Sequence, residues 1–170
     1  DEDSDIGFIP SSGLFETLPG YSRSDSRTTT EEVIGNWDGT TFTRTNVARA
    51  NIYSIQDSTT LIEHRWYFSI DNSIPIYYFV YEADSLVSTY NLISQVYVDS
   101  SDTGEGWYSS GAIDVDLVAG RYYAIGVSWG GDATYGWGPP TSNQTSFGEK
   151  VDALTGSEGN YYPPATNFPN

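Results

Sequence analysis

From about residue 42 onward, short stretches of this chain alternate apolar and polar residues with a period of two. Between residues 61 and 70 one set of alternate positions is mainly apolar, and residues 113–117 place two Asp between Ile, Val and Leu. A period of two puts alternate side chains on opposite faces of a β-strand. Only two short segments, at residues 30–34 and 149–154, are helix candidates. The pattern therefore predicts an all-β protein.

The predicted strands are short and closely spaced. Stretches rich in Val, Ile, Tyr, Trp and Thr are separated by clusters of Gly, Asp, Ser and Asn, which are typical turn residues. Residues 76–82 are apolar or aromatic on both faces, which indicates a central strand. The spacing predicts about eight or nine strands, and this pattern favours an antiparallel β-sandwich of jelly-roll-like type.

The two ends of the chain differ from this middle part. Residues 1–40 contain scattered Gly and Pro without sustained periodicity, and residues 157–170 are rich in Pro. We therefore expect an extended N-terminal arm over 1–40, a β-sandwich domain over 41–156 and a C-terminal tail over 157–170. The arm is expected either to wrap its own domain or to add a strand to the sheet edge of a neighbouring copy. The apolar residues that would anchor it are Ile6, Phe8, Leu14, Phe15 and Leu18.

The balance of charges excludes one broad class of partner. Lys and Arg number 7 against 23 Asp and Glu, which gives a formal net charge of −16 at pH 7. Binding to phosphate backbones needs clustered basic residues, so nucleic acid is not an expected partner. No apolar run reaches the roughly 20 residues of a membrane-spanning helix, so no membrane span is expected either.

Composition also favours an extracellular protein. The chain has no Cys, which excludes disulfides and thiol chemistry, and it is rich in Ser, Thr, Tyr and Asn, as many secreted surface modules are. Since it also lacks Met, we expect a processed chain or an excised domain. Asn143 begins an Asn-Gln-Thr sequon and is a candidate site of N-glycosylation.

Aromatic rings in Gly-rich segments are the candidates for ligand contact. Flat rings stack on sugar faces while nearby carboxylates bind sugar hydroxyls, and the residues expected to form such a platform are Trp107, Trp129, Asp132, Tyr135 and Trp137. The alternative is structural. In that case Trp129 would end a core strand and Trp137 would close one end of the sandwich.

The loop that follows residue 98 is a candidate calcium site. Asp99, Asp102 and Glu105 bring carboxylates together at close spacing, as hard cations require. A bound Ca²⁺ would stiffen this loop rather than take part in catalysis. The alternative is a solvated hairpin turn without metal.

The sequence offers little for catalysis. His64 is the only histidine and lies on the apolar face of its predicted strand, so we expect it to be a buried structural residue. Pairs of carboxylates in a cleft are the chemistry of glycosidases, and the acids considered for such a pair are Glu63, Glu82, Glu105, Asp114 and Asp116. Because 23 acids make such pairs common by chance, we predict that the protein is not an enzyme.

The segment Gly104–Trp129 resembles a pair of strands in secreted bacterial and archaeal β-sandwich modules. An alternating strand leads into Val-Ala-Gly at 118–120, and Arg-Tyr-Tyr at 121–123 opens the next strand. These modules are the jelly-roll, pre-peptidase-like and carbohydrate-binding domains attached to hydrolases and adhesins. The resemblance covers about residues 51–129 and implies a fold style, with no catalytic residue to transfer.

Three functions follow from these patterns, in order of preference. The first is a non-catalytic extracellular structural or adhesive subunit that assembles with further copies, in a filament or surface layer, through its N-terminal arm. The second is a carbohydrate-binding module with an aromatic platform and structural calcium, whose partner is a cell-surface glycan. The third is a small glycosidase.

Overall fold

The computed structural model describes six parts of the chain, which are residues 7–9, 14–16, 29–34, 40–136, 143–156 and 167–168. These parts are all-β, with antiparallel pairing throughout and no helix among them. The chain divides into two compact units, Asp1–Val33 and Ile34–Asn170. The all-β prediction is confirmed.

The first unit contains a short β-hairpin. Strand β1 (Gly7–Ile9) pairs antiparallel with β2 (Leu14–Glu16), and Phe8 lies opposite Phe15. Two segments of the predicted arm therefore pair with each other. Two of its proposed anchors, Ile6 and Leu18, lie outside the described residues.

The second unit holds the remaining described strands. They are β3 (Thr41–Ile55), β4 (Thr59–Leu61), β5 (Arg65–Ile70), β6 (Pro75–Ala83), β7 (Tyr90–Asp99), β8 (Gly104–Ser109), β9 (Val115–Leu117), β10 (Tyr122–Gly136), β11 (Gly148–Thr155) and β12 (Asn167–Phe168). The predicted stretch 61–70 is split between β4 and β5. Both helix candidates are wrong: residues 149–154 lie in β11, and residues 30–34 are not helical.

The strand pairs are nested along the sequence. Strand β3 pairs with β10, β4 with β9, β5 with β8, and β6 with β7, so each pair lies inside the preceding one. This is the pairing of an antiparallel ribbon folded on itself, as in a jelly roll. Further pairing gives the order β11-β3-β10-β6-β7-β12, while β10 also pairs with β5.

The two longest strands bend together at a β-bulge. The register between β3 and β10 shifts between Trp129 and Asp132. Before the bulge β10 pairs with β6, and after it β10 pairs with β5. Bulges bend strands and increase their twist. Strands β3 and β10 therefore run through both halves of the sheet, one of which contains β6 and β7 and the other β5 and β8. The bend brings β5 and β8 over the face of β6 and β10.

The core follows the predicted alternation. On β10 the residues Tyr123, Ile125, Val127 and Trp129 share one face and are all buried. Val127 and Trp129 pack with Phe68 of β5 and Tyr78 of β6 in one cluster. Burying rings of this size removes large apolar areas from water and holds the two halves of the sheet together.

Part of the predicted C-terminal tail belongs to the second unit. In β12, Asn167 lies opposite Asn91 and Phe168 opposite Tyr90, at the outer edge of β7. The tail thus contributes a short strand to its own sheet.

Candidate ligand pocket between strands β7 and β8

A pocket of about 240 Å³ lies between β7 and β8. Each of these strands lies near an edge of the sheet: β8 pairs with β5 alone among the described strands, and β7 has β12 at one end of its outer side. The floor and the two walls of the pocket are formed by Ile76, Tyr78, Val98, Asp99, Ser100, Ser101, Asp102, Trp107, Tyr108 and Ser109. The open side of the sandwich therefore forms a concave surface between two strands.

The loop between β7 and β8 is held in place by hydrogen bonds. The backbone N–H of Ser100 donates to the carbonyl of Ile74 at 3.1 Å, and the Ser73 hydroxyl donates to the Ser100 carbonyl. The Ser100 hydroxyl donates to the carbonyl of Asp102 at 3.0 Å. Ser100 is buried as a result, so this wall of the pocket is preorganised.

Trp107 forms the exposed aromatic part of the site. It lies opposite Tyr67 in the β5–β8 pair, and the two rings meet edge to face with centroids 5.3 Å apart. The Tyr67 hydroxyl donates to Glu105 Oε1 at 3.0 Å, and this bond raises the pKa of Tyr67. Trp107 is nevertheless 53% exposed on the outer face of β5 and β8, the face that also carries Glu105, so much of its side chain is accessible to a ligand at the rim of the pocket.

Tyr78 lies at the floor of the pocket and has an unpartnered hydroxyl. The residue is 1% exposed, and its hydroxyl oxygen is buried without a hydrogen-bond partner among the described residues. Burial raises the pKa of Tyr78, with nearby Tyr108 and Glu63 adding to the effect, so the phenol stays protonated. A buried hydroxyl without a partner is costly, and this oxygen has almost no accessible surface, so a ligand in the pocket does not reach it.

His64 packs against the same tyrosine. The two rings are 5.1 Å apart in an edge-to-face arrangement, and His64 Nδ1 is also buried without a partner. Burial lowers the pKa of His64 to about 4, so the imidazole is neutral at pH 7. His64 is thus half-buried, with its ring packed against Tyr78 next to the pocket.

Two carboxylates lie on the loop side of the pocket. Asp99 Oδ1 accepts a hydrogen bond of 2.5 Å from the Tyr97 hydroxyl, and Asp102 follows in the loop. Tyr97 is 49% exposed, and its ring lies 4.9 Å from that of Tyr77. None of the residues that line the pocket is Lys or Arg.

A network on β8 fixes the other end of the pocket. The Ser109 hydroxyl donates to Glu63 Oε1 at 2.5 Å, and Arg65 holds both oxygens of Glu63 at 2.7 and 3.2 Å. These bonds, with that from Arg65 the strongest, lower the pKa of Glu63. Arg65 lies on β5, the strand that pairs with β8, and its positive charge is therefore neutralised by Glu63.

The structure corrects most of the predicted sugar platform. Trp129 is fully buried, with Nε1 donating to the Arg44 carbonyl at 3.0 Å, and Tyr135 is buried with its hydroxyl bonded to Arg49 Nε at 3.0 Å. Neither ring is accessible to a sugar, because both fill the space between the two halves of the sheet. Trp129 is thus a core residue, but it lies within β10 and not at the end of a strand as the structural alternative expected.

The structure does not bring the remaining members of that platform together either. Asp132 is exposed on β10 and accepts a hydrogen bond from Thr45, away from the pocket lining. Trp137 lies outside the described residues. Trp107 alone, among the predicted platform residues, lines the pocket.

The predicted calcium ligands do not form one cluster. Asp99 and Asp102 line the pocket, whereas Glu105 binds the Tyr67 hydroxyl. Among the described residues, no group of three or more His, Cys, Asp or Glu is placed to hold a metal ion. The expected three-carboxylate site is therefore not assembled, since strand alternation directs Glu105 toward the outer face of β5 and β8.

The other acids considered for catalysis are dispersed or paired. Glu82 binds the Tyr123 hydroxyl at 2.8 Å and lies 3.3 Å from Arg121. Asp114 has a φ of 48° just before β9, and Asp116 accepts a hydrogen bond from Thr60 at 2.9 Å. Asn143 is exposed, as a glycosylation site must be.

Four tyrosines of the site were not singled out from the sequence; they are Tyr67, Tyr78, Tyr97 and Tyr108. The alternation in residues 61–70 already separates Tyr67 from the apolar face, and the pairing of β5 with β8 then places Trp107 beside it. The unpartnered hydroxyl of Tyr78 has no signal in the sequence, because an apolar central strand is expected to bury such a ring.

Comparison with known proteins gives no relative: no family model, curated protein or solved structure matches this chain. Within the described residues, no helix has the length and apolar character required to cross a bilayer.

Proposed function

We propose that this protein binds carbohydrate, without catalysis, at the pocket between β7 and β8. The observation that carries the proposal is the position of Trp107, half-exposed on the outer face of β8 at the rim of a pocket that also contains two carboxylates. A mainly concave site with a few convergent polar groups is the usual form of a small-molecule site. A sugar offers an apolar ring face for Trp107 and hydroxyls for the polar groups.

The chemistry of the lining supports binding rather than turnover. The chain's only histidine is neutral at pH 7 beneath the pocket, where it packs on Tyr78. Glu63, the acid nearest in sequence to it, is held as a carboxylate by Arg65 and Ser109. A glycosidase needs one protonated acid with a raised pKa, and these contacts act in the opposite direction.

The test is a binding measurement with a matched variant. Soluble oligosaccharides of several classes are titrated into the protein, and the best ligand is then measured against Trp107→Ala. We expect the affinity to fall at least about tenfold, or about 1.4 kcal/mol, since aromatic anchors carry much of the energy of such contacts. Ile93→Ala removes an exposed apolar side chain from β7 outside the pocket lining and should leave the affinity unchanged.

Two results would oppose the proposal. If Trp107→Ala folds normally and binds the sugar as tightly as the wild type, the pocket is not the sugar-binding site. Hydrolysis of the sugar during the titration would instead favour the glycosidase.

We propose as a second function that the first unit mediates assembly of an extracellular structural or adhesive subunit. Its support is that residues 1–33 cluster as a unit of their own, with the hairpin β1–β2 as a small separate sheet. Deleting residues 1–27 should then abolish oligomers in light scattering or filaments in electron microscopy, while the strand signal of the second unit persists. Unchanged particle size after the deletion would contradict this function and leave the sugar site untouched.

A further inference from the structure

We propose that two copies of this chain pair through the outer edges of their β7 strands, in an antiparallel dimer whose two-fold axis passes through Gln95. This inference goes beyond the proposed sugar site and holds whether or not the pocket binds sugar. It follows from three features of the outer edge of β7: an open run of backbone, the absence of charge along that run, and an order of side chains that matches itself.

The open run of backbone covers residues 92–98. On its inner side β7 pairs with β6. On its outer side, among the described strands, β12 alone pairs with it, and this pairing ends at Asn91. At the other end Asp99 is the last residue of the strand, and Ser100 is bonded into the loop through the carbonyl of Ile74. Seven residues are as many as an ordinary β-strand contains, so this edge can accept a full strand.

The open run carries no charge. Its sequence is Leu-Ile-Ser-Gln-Val-Tyr-Val, in a chain with a formal net charge of −16. Copies of such a chain repel each other at long range, so an uncharged edge is where they can approach most closely. The exposed side chains of the run include Ile93, which is 43% exposed, and Tyr97, which is 49% exposed. Contact between two copies would therefore remove apolar surface from water.

The other described edges of the large sheet are protected against such pairing. Strand β11 carries the charged residues Glu149, Lys150 and Asp152, and its register with β3 is broken by a bulge between the last two. Strand β8 has only six residues, which include two glycines and Glu105. Charges, bulges and short length are the usual means by which proteins keep sheet edges apart. Strand β7 is thus the edge that best suits pairing.

The order of side chains along the run is complementary to itself. In an antiparallel pair with its axis at Gln95, Ile93 lies opposite Tyr97 of the second copy, and Leu92 lies opposite Val98. Pairs of an aromatic and a β-branched side chain are among the favourable cross-strand pairs. Each of these contacts occurs twice, because a two-fold axis brings the same surface of both copies together and closes the assembly at two.

The ends of the run favour this register over its neighbour. With the axis at Gln95, Asp99 falls opposite Asn91 of the second copy, where β12 already occupies the edge. The pairing therefore uses the whole open run, and no two charged residues face each other within it. An axis at Val96 would place Ile93 opposite Asp99 and lose the apolar pair.

Strand β7 is already ordered for this contact. The Tyr97 hydroxyl donates to Asp99 at 2.5 Å, and the Tyr97 ring lies 4.9 Å from that of Tyr77. The extra residue of the bulge between β6 and β7 is Ile93, near one end of the run, and residues 94–99 keep a regular register with β6. Side chains and backbone that are ordered before binding lose little entropy on association.

A single cysteine tests the contact directly. The chain has no Cys, so Gln95→Cys gives a unique thiol, which in the dimer lies opposite its own copy. The Cβ atoms of opposed residues are about 4.5–5.5 Å apart, close to the span of a disulfide. Under mild oxidation of the full chain, we expect Gln95→Cys to form a linked dimer at least about tenfold faster than Val151→Cys, which places a thiol at an exposed position of the edge strand β11.

Charge variants test the register. Light scattering of the full chain should give a mass that rises with concentration toward twice the 18.7 kDa of one chain. Gln95→Lys and Gln95→Glu each place like charges opposite each other, so either variant alone should raise the dissociation constant at least about tenfold. Mixed in equal amounts, the two should pair again, because Lys then faces Glu. Gln56→Lys makes the same change at an exposed bend after β3 and should leave the dimer intact.

Each alternative result overturns the inference. It fails if the wild type stays monomeric up to about 1 mM, if Gln95→Cys is linked no faster than Val151→Cys, or if the mixed charge variants do not pair. Assembly that Gln95→Lys leaves intact and deletion of residues 1–27 abolishes would belong to the first unit instead. Because Gln95 is exposed, its variants are expected to fold, and circular dichroism verifies this.

Discussion

The side-chain oxygen of Asn46 accepts a hydrogen bond of 3.0 Å from the backbone N–H of Gly131. Both residues have positive φ, 54° at Asn46 and 95° at Gly131, and they face each other across the bulge that bends β3 and β10. Asn tolerates this conformation better than most residues with a side chain, and Gly adopts it freely. The bond therefore fixes the position at which the two long strands pass from one half of the sheet to the other.

We predict that Gly131→Ala destabilises the fold by about 2–4 kcal/mol. A Cβ at this position would be strained by the positive φ and would lie 2.7 Å from Ile74 Cγ2. Chemical denaturation measures the loss. Gly106→Ala is the matched control, because its Cβ would meet nothing within 4 Å, and a similar loss in both variants would disprove the role of the bulge.

A second prediction concerns the buried hydroxyl of Tyr123. It accepts from the Val118 N–H at 2.9 Å and donates to Glu82 at 2.8 Å, so it links the turn before β10 to β6. Tyr123→Phe should cost about 1–2 kcal/mol in the free energy of unfolding, because Val118 loses its acceptor. Tyr122→Phe, on the opposite face of the sheet, serves as the control, and equal effects of the two changes would contradict the prediction.

A third prediction concerns the dependence of stability on pH. Burial lowers the pKa of His64 from 6.5 to about 4, so below pH 6.5 the unfolded chain binds a proton that the folded protein does not. Stability should therefore fall as the pH decreases from about 6.5 to about 4, by up to about 3 kcal/mol from this group.

The measurement for His64 is a series of denaturation curves over that pH range, for the wild type and for His64→Gln. We expect the difference in stability between the two proteins to shrink toward acid, since the variant lacks the titrating group. A difference that stays constant from pH 6.5 to 4 would mean that His64 titrates normally in the folded state.

A fourth prediction concerns calcium. Because Glu105 is bound to Tyr67 and does not join Asp99 and Asp102, we expect a chelator to leave the affinity for oligosaccharide unchanged within about twofold. Titration with and without EDTA makes the measurement. A larger loss that added Ca²⁺ restores would show that the loop binds the metal after all.

The sequence predicted the strands well and the ligand site only in part. The period of two also holds in β10, where the alternate residues Tyr123, Ile125, Val127 and Trp129 share one buried face. It was the composition around Trp129 and Tyr135 that misled the site prediction, since Gly-rich aromatic segments occur both at surfaces and at bends. Here the glycines form the bulge, and the rings next to them pack inward.

By itself, the sequence determined that the described part of the chain is all-β and which face of its strands is apolar, because a period of two is a local property of the strand. Only the tertiary structure decided that Trp107 and Asp102 share a pocket with Tyr78. These residues meet because β5 pairs with β8 and β6 with β7, and because the bulge in β10 joins the two pairs. Such contacts depend on the pairing of distant segments, which the alternation within one strand does not specify.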